Sequence, residues 1–186
     1  MSNILSVMTF LPIVGVLLLL FIPKGSNGAL RSVALVTTVV TFIASLPILT
    51  GYQTNAEYQF VENVPWIAAG PFAMRYNIGI DGISLWLVIL TTFIMPIAVL
   101  STWTAVEDKV KEYMICLLIL ETAMLGAFIS LDLFLFYIFW ELMLIPMYFM
   151  IGIWGGKNRL YATVKFFIYT LVGSLLMLVA DRKSVV

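Results

Sequence analysis

Six long apolar segments dominate this sequence, and each is about as long as a helix that crosses a lipid bilayer. The hydrocarbon core of a bilayer is about 30 Å thick, so a helix needs about 20 residues to cross it. The segments are 4–22, 29–49, 83–103, 113–130, 133–153 and 160–180. With 62% hydrophobic and 11% charged residues and a mean hydropathy of +1.08, the chain is typical of a polytopic membrane protein. The sequence therefore predicts an all-α fold, a transmembrane helix bundle of about six spans.

Two of the connections between these segments are clearly hydrophilic. Residues 50–76 are too mixed in character to cross a membrane, so we expect a polar loop there. Residues 107–112, EDKVKE, are the most charged hexapeptide and must lie in water. We therefore expect a first region, residues 1–112, with three helices, and a second, residues 113–180, with three more. Residues 181–186, DRKSVV, form an atypical charged tail.

Basic residues are unequally distributed between the two sides of the membrane. Among the loops, one side receives Arg75 alone, and the other receives Lys24, Arg31, Lys109, Lys111, Lys157 and Arg159. Because cytoplasmic loops carry an excess of Lys and Arg, we place loops 23–29, 104–112 and 154–159 in the cytoplasm and the N-terminus outside. The sequence thus predicts a multi-pass integral membrane protein, which in a bacterium would lie in the inner membrane with its N-terminus on the periplasmic side.

Glu141 is the single charged residue in the fifth apolar segment, near its middle. A charge at this depth costs roughly 3 kcal/mol on insertion scales, so the side chain should face protein or water rather than lipid. Tyr137 and Tyr148 fall on the same helical face, and Pro146 leaves the carbonyl of Leu142 without its usual partner. This polar stripe indicates a proton or ion path, and the alternative is a buried acid that only satisfies a neighbouring helix.

Glu121 is the corresponding acid in the fourth segment. Glu121 and Glu141 are each ten residues from the turn at Leu131, which places both about 15 Å into the membrane. Two carboxylates at one depth on adjacent helices can share or relay a proton, because both cannot be ionised cheaply in a low dielectric. Depth alone does not determine whether they face each other, so a structural role for Glu121 stays open.

Lys165 is the one charged residue well inside the sixth segment. It lies roughly 10 Å from the level of Glu141 along the membrane normal, so we expect a chain of waters between them rather than a direct pair. Tyr161, Tyr169 and Gly173 recur with Lys165 every four residues and would line that route. Alternatively, Lys165 extends its ammonium group to the cytoplasmic interface along its own stem.

Two further acids are expected to lie at the starts of helices. Asp81 and Asp132 precede apolar segments and are expected to cap them.

The chain has no histidine and one cysteine, Cys116, so we expect no haem, iron–sulfur cluster or zinc in it. There is no glycine-rich nucleotide fingerprint and no long basic run, so we expect a lipid bilayer rather than a nucleic acid as its surroundings.

Three stretches resemble one known family. These are NIGIDGISLWL at 77–87, FYIFWELMLIPMYFMIGIWGG at 136–156 and KFFIYTLVGSLLMLVA at 165–180. They are similar to subunit M of bacterial NADH:quinone oxidoreductase, the counterpart of mitochondrial subunit 4 of respiratory complex I. The resemblance implies an antiporter-like subunit fold, present in part, with a proton-translocating domain that begins at residues 113–180.

The same resemblance implies functional residues, partners and alternatives. The glutamate of the family's FWE motif is a key proton-transfer group and matches Glu141, and Lys165 matches a basic residue of the sixth helix. NAD, flavin and iron–sulfur clusters would reside in partner subunits, so this chain would reach quinone only through the whole complex and would contact other membrane-arm subunits. Because the family continues through further helices, we expect an N-terminal fragment. The alternatives are a sodium/proton antiporter subunit, a membrane-bound hydrogenase subunit, and a chain that inserts in the membrane and only packs against partners.

Overall fold

Six helices form the body of the molecule. The computed structural model describes residues 3–53, 57–69 and 72–181. Within these residues the helices are α1 Ile4–Phe21, α2 Asn27–Gly51, α3 Gly82–Ser101, α4 Val110–Ile129, α5 Leu133–Trp154 and α6 Arg159–Asp181. All six are long and apolar enough to cross a membrane. The expected helix bundle is therefore confirmed, whereas the tail predicted at 181–186 lies outside the described residues except for its first residue.

A β-hairpin between α2 and α3 corrects the loop predicted at residues 50–76. Strand β1, Gln59–Ala69, pairs in antiparallel orientation with strand β2, Phe72–Ile80. The pairing shifts register near the start of β1, where Phe60 has a φ of 54°. Such a bulge breaks the alternation of inward and outward side chains, and the sequence therefore lacked the usual strand pattern.

The second strand attaches the hairpin to the connection between α4 and α5. The backbone N–H of Leu131 donates to the carbonyl of Asn77 at 2.9 Å, and Ile78 forms an isolated bridge with Ser130. Ile78 and Ile80 are fully buried. The hairpin is therefore part of the packed structure at this end of the bundle, which we call the hairpin end.

Two apolar clusters lie along the bundle. The hairpin-end cluster contains Leu5, Met8, Ile48, Ile78, Ile80, Leu85, Val88, Leu125, Ala127, Ile129, Leu135 and Phe139. The cationic-end cluster, beside the connections rich in Lys and Arg, contains Leu19, Leu30, Ala34, Met95, Val99, Val106, Val110, Met114, Leu117 and Leu118. Helices α1 to α4 contribute to both clusters, so these four helices form the core on which α5 packs.

Both predicted helix caps are confirmed. Asp81 Oδ1 accepts hydrogen bonds from the backbone N–H groups of Ile83, at 3.1 Å, and Ser84, at 2.7 Å, and the Ser84 hydroxyl lies 2.9 Å from the Asp81 N–H. Asp132 accepts in the same way at the start of α5. The hydrogen bond from the Ser84 backbone, above all, lowers the pKa of Asp81 below its ordinary value. An ionised Asp81 therefore stabilises the start of α3.

Candidate functional site

Glu141 contacts α6 through one hydroxyl group. The Ser174 hydroxyl donates a hydrogen bond to Glu141 Oε1. Ser174 is 4% exposed, whereas Glu141 is half-buried. Tyr137, one helical turn before Glu141, lies beside both side chains. The carboxylate therefore faces the contact between α5 and α6, as expected because exposure of a charged group to lipid is energetically costly. One side of the carboxylate is not covered by the described chain.

The hydrogen-bond partners of Ser174 allow Glu141 to be neutral or charged. Ser174 Oγ also lies 3.0 Å from the carbonyl oxygen of Leu171. A hydroxyl has one proton, so it donates either to Glu141 or to this carbonyl. When Glu141 is ionised, Ser174 donates to the carboxylate. When Glu141 is protonated, its O–H can donate to Ser174 Oγ while Ser174 donates to Leu171, so both protonation states have a partner.

Lys165 lies apart from Glu141. Its side chain is exposed, and its Nζ sits 5.7 Å from the centre of the Tyr161 ring, within the range of a cation–π contact. Along α6 it is about 14 Å from Ser174, the residue that contacts Glu141. Among the described residues no ion pair joins Lys165 to Glu141. The water-mediated connection predicted between Lys165 and Glu141 stays a prediction.

The row of α6 residues predicted to line a route from Lys165 lies on the exposed side of the helix, and its role stays a prediction. Tyr161 and Tyr169 are 71% and 82% exposed. The side of α6 that packs on α5 instead carries hydroxyl groups at residues 163, 170 and 174, of which Thr163 is 2% exposed. The seven- and four-residue intervals between them are helical repeats and are the sequence signal that was overlooked.

Glu121 and Glu141 are not joined in the structure. Glu121 is fully buried on α4, and neither of its carboxylate oxygens has a hydrogen-bond partner among the described residues. Glu121 lies eight residues before the end of α4, and Glu141 eight residues after the start of α5. Counted in helical residues, the two acids are therefore at the same distance from the connection between α4 and α5, as predicted. Within the described chain, however, no hydrogen bond supports direct sharing of a proton between them.

A second polar cluster, missed in the sequence, fixes the hairpin to α1. Glu62 Oε1 accepts from the backbone N–H groups of Leu5, at 3.1 Å, and Ser6, at 3.3 Å. The Ser6 hydroxyl donates to the other carboxylate oxygen and lies 2.8 Å from the Tyr76 hydroxyl. Burial raises the pKa of Tyr76. Glu62 therefore caps α1 from a distant segment, and a carboxylate is favourable there because of the helix dipole.

Basic side chains satisfy helix ends at the cationic end. Lys111 Nζ donates to the carbonyls of Leu20, at 2.9 Å, and Ile22, at 2.8 Å. Lys24 forms an ion pair with Glu112 at 2.6 Å. Lysine at a helix C-terminus interacts favourably with the helix dipole, so these contacts stabilise the ends of helices rather than a ligand. Among the described residues no cluster of three or more Cys, Asp and Glu side chains could hold a metal ion.

One family model matches the last part of the described chain. Residues 130–181, which include Glu141, Lys165 and Ser174, match the family model described as NADH:quinone oxidoreductase/Mrp antiporter, TM. The matched region contains α5 and α6 and therefore the contact between Ser174 and Glu141.

The solved structures that are similar to this one include two respiratory membrane complexes. The first is a chain of respiratory complex I from Thermus thermophilus with bound NADH, with a TM-score of 0.77 and 28% identity over 95% of this chain and 34% of that chain. The second belongs to the membrane-bound sulfane sulfur reductase, an archaeal respiratory membrane complex, with a TM-score of 0.72 over 96% of this chain and 27% of that one. At 22% identity, the second likeness concerns the fold alone.

Curated relatives match nearly all of the chain. It is 51% identical over 185 residues to NADH-quinone oxidoreductase subunit M of Rhodobacter capsulatus, which is 97% of this chain and 35% of that protein. It is 43% identical over 179 residues to NADH-ubiquinone oxidoreductase chain 4 of Arabidopsis thaliana, which is 95% of this chain and 36% of that protein. The chain thus spans about a third of the length of these relatives. The resemblance to subunit M of NADH:quinone oxidoreductase is therefore confirmed, and the chain is related to these proteins over nearly its whole length.

Proposed function

We propose that this chain belongs to the membrane arm of a proton-translocating NADH:quinone oxidoreductase and moves protons across the membrane while other subunits transfer electrons from NADH to quinone. Its relatives carry the names of subunits of that enzyme. The single observation that carries the proposal is the contact between Ser174 and Glu141, because it offers a partner to a mid-membrane carboxyl group in both protonation states.

Glu141 is the proton-transfer group in this proposal. It is half-buried, so it is sheltered from lipid but open on one side to water or further protein. Lys165 serves as a second proton-transfer group nearer the cationic end, and it exchanges protons with Glu141 through water rather than by direct contact. Lys165 lies about 14 Å along α6 from Ser174, the residue that contacts Glu141, so an acid and a base at these two places divide the crossing into shorter steps.

Partner subunits hold the redox cofactors. This chain has no histidine and one cysteine, so it lacks the usual ligands of haem and iron–sulfur clusters. We therefore assign NAD, flavin and iron–sulfur chemistry to other subunits, and we assign quinone reduction to the whole complex. The partners of this chain are the neighbouring membrane-arm subunits and the lipid bilayer.

We propose the bacterial inner membrane as the location, with the cationic end in the cytoplasm. This end contains the loops at 23–29, 104–112 and 154–159, and the hairpin and the N-terminus then lie outside. The excess of lysine and arginine at the cationic end supports this orientation under the positive-inside rule.

Purification of the chain from its host tests the function. An affinity tag on this chain, with extraction in mild detergent, should recover NADH:quinone reductase activity together with flavin-containing subunits. A tagged, unrelated membrane protein from the same host is the control. Recovery of the correctly inserted chain without that activity would contradict the proposal.

The same purification separates the two alternatives. The family model that matches residues 130–181 also covers Mrp antiporters, so a sodium/proton antiporter subunit is the second candidate. Antiporter subunits in the purified fraction, with transport driven by a sodium gradient, would support that candidate. Hydrogen-oxidising activity would instead indicate a membrane-bound hydrogenase.

A further inference from the structure

Glu121 is an unpartnered acid inside the closed part of the bundle. Its side chain is 0% exposed, and neither carboxylate oxygen accepts or donates a hydrogen bond within residues 3–53, 57–69 and 72–181. The hydroxyl of the next residue, Thr122, is 1% exposed and is likewise without a partner in that part of the chain. A buried polar group normally has a partner, so two adjacent exceptions on α4 require an explanation.

Other buried hydroxyl groups lie in the same part of the bundle, between its two apolar clusters. On each of α1 to α4 they fall between the residues of the hairpin-end cluster and those of the cationic-end cluster. On α1, for example, Thr9 lies between Met8 and Leu19, and on α3, Thr92 lies between Val88 and Met95. We call these buried residues, together with Glu121, the hydroxyl layer: Thr9, Thr37, Thr38, Thr41, Ser45, Thr92 and Thr122.

Most hydroxyl groups of the layer already have an acceptor within their own helix. The hydroxyl groups of α1, α2 and α3 lie within hydrogen-bonding distance of carbonyls of their own helices, as Thr9 Oγ1 does to Leu5 at 2.8 Å and Thr41 Oγ1 to Thr37 at 3.0 Å. A hydroxyl that has donated its proton keeps lone pairs that accept. The protons of these hydroxyl groups therefore point to helix carbonyls, and among the described residues none of them is donated to Glu121.

No cation compensates Glu121 in the described structure. Helices α1 and α3 contain no ionisable side chain, and the one in α2, Arg31, donates to the carbonyl of Val106 at 2.7 Å. The other ionisable groups on elements that pack against α4, or on α4 itself, are Arg75, Tyr76, Lys111, Glu112, Tyr113, Cys116, Tyr137, Glu141 and Tyr148. None of them forms a hydrogen bond or ion pair with Glu121 within the described residues.

We propose that Glu121 is an enclosed proton-binding site, separate from Glu141 and located between the two apolar clusters, and that its side chain is a neutral carboxylic acid at neutral pH. An isolated carboxylate loses its hydration on burial, and no charge among the described residues repays that loss, whereas a neutral carboxyl group costs far less to bury. The proton is the ligand of this site, and it binds to one carboxylate oxygen of Glu121. This inference requires only that the bundle spans a membrane and is independent of the proposed function.

The enclosure distinguishes Glu121 from Glu141. A side chain with no exposed surface in this chain cannot be reached by residues of other chains unless the bundle opens. Exchange of the Glu121 proton with solvent therefore requires local opening of α1 to α4, which makes it slow. Glu141 is half-buried and should exchange faster.

Infrared spectroscopy of the full chain in lipid bilayers tests the site. Glutamate labelled with ¹³C at the side-chain carboxyl reports six groups, Glu57, Glu62, Glu107, Glu112, Glu121 and Glu141. At neutral pH the wild-type chain should show the carbonyl band of a protonated carboxyl that Glu121→Gln removes and Glu141→Gln leaves in place. After transfer to D₂O, this band should shift more slowly than the amide bands of the exposed hairpin.

The Glu121→Asp variant provides a second test if Glu121→Gln fails to insert. In this variant position 121 carries an aspartate, which is not labelled. The labelled band should therefore disappear, and an unlabelled band of a protonated carboxyl group should appear. A spectrum in which Glu121→Gln removes only carboxylate absorption would overturn the proposal. If the Glu121 band exchanged with deuterium as fast as exposed groups do, the conclusion that Glu121 is enclosed would be contradicted.

Discussion

Ser174 of α6 donates a hydrogen bond to Glu141 of α5, and this contact joins the two helices beside the carboxyl group. The same hydroxyl lies 3.0 Å from the carbonyl of Leu171, so it can change its partner when Glu141 gains or loses a proton. The contact therefore connects the packing of α6 with the protonation of Glu141.

Replacement of Ser174 by Ala should slow proton transfer without unfolding the chain. The lost hydrogen bond is worth about 1 kcal/mol net, which corresponds to roughly a fivefold lower rate. Proton uptake by vesicles that contain the assembled complex measures the effect. Thr163→Ala is the matched control, because it removes an equally buried hydroxyl from the same side of α6 that donates only to the carbonyl of Arg159. Equal losses in both variants would contradict the role of Ser174.

Replacement of Glu62 by Ala should detach the hairpin from the first helix. Loss of the cap on Leu5 and Ser6 should cost about 1 kcal/mol and increase amide exchange over residues 59–80. Hydrogen exchange read by mass spectrometry measures this change. The control is Tyr76→Phe, which removes only the hydroxyl contact with Ser6 and should have a smaller effect. Unchanged exchange in Glu62→Ala would show that the cap does not hold the hairpin.

Asp81 should stabilise α3 in a pH-dependent manner. Its pKa is lower in the folded chain than its ordinary value of 3.8, so its contribution is complete above that pH and is lost as the pH falls through the lowered value. Asp81→Ala should therefore be less stable than wild type by about 1 kcal/mol at neutral pH, with a smaller difference in acid. Thermal unfolding in detergent measures it. Asp81→Asn, which caps without a charge, should retain most of the stability and lose the pH dependence.

Gly126 allows α4 and α5 to approach closely. A Cβ at this position would overlap the ring of Phe139, which is 6% exposed and cannot move freely. Gly126→Ala should therefore destabilise the chain by about 1–3 kcal/mol. In the double variant with Phe139→Leu, part of that loss should be recovered, since the smaller side chain leaves room. Additive losses in thermal unfolding would argue against a steric conflict.

The helices and their capping residues could be predicted because local sequence determines them. Six apolar segments of membrane-spanning length gave the correct number of helices, and Asp81 and Asp132 directly precede the helices they cap. Glu141 was identifiable because a charge in a membrane-spanning segment is costly. These features depend on composition and on neighbours within one turn.

The hairpin and the partners of the acids depend on residues far apart in sequence. Glu62 contacts Ser6, and Ser174 contacts Glu141, across sequence separations of 56 and 33 residues. The bulge near Phe60 obscures the strand pattern, and counting along α6 from Lys165 selected its exposed face. Counting residues gives depth along a helix, but the rotation of a helix depends on how it packs against its neighbours.

The most direct test of the central claim is the ratio of protons moved to electrons transferred in a complex that contains Glu141→Gln. Glutamine keeps the size of the side chain but cannot carry the proton. Proton transfer should fall by about 100-fold or more, the usual contribution of a positioned acid or base, while the isolated complex keeps all its subunits. Thr163→Ala again serves as a matched control. An unchanged ratio of protons to electrons in a correctly assembled Glu141→Gln complex would contradict the account.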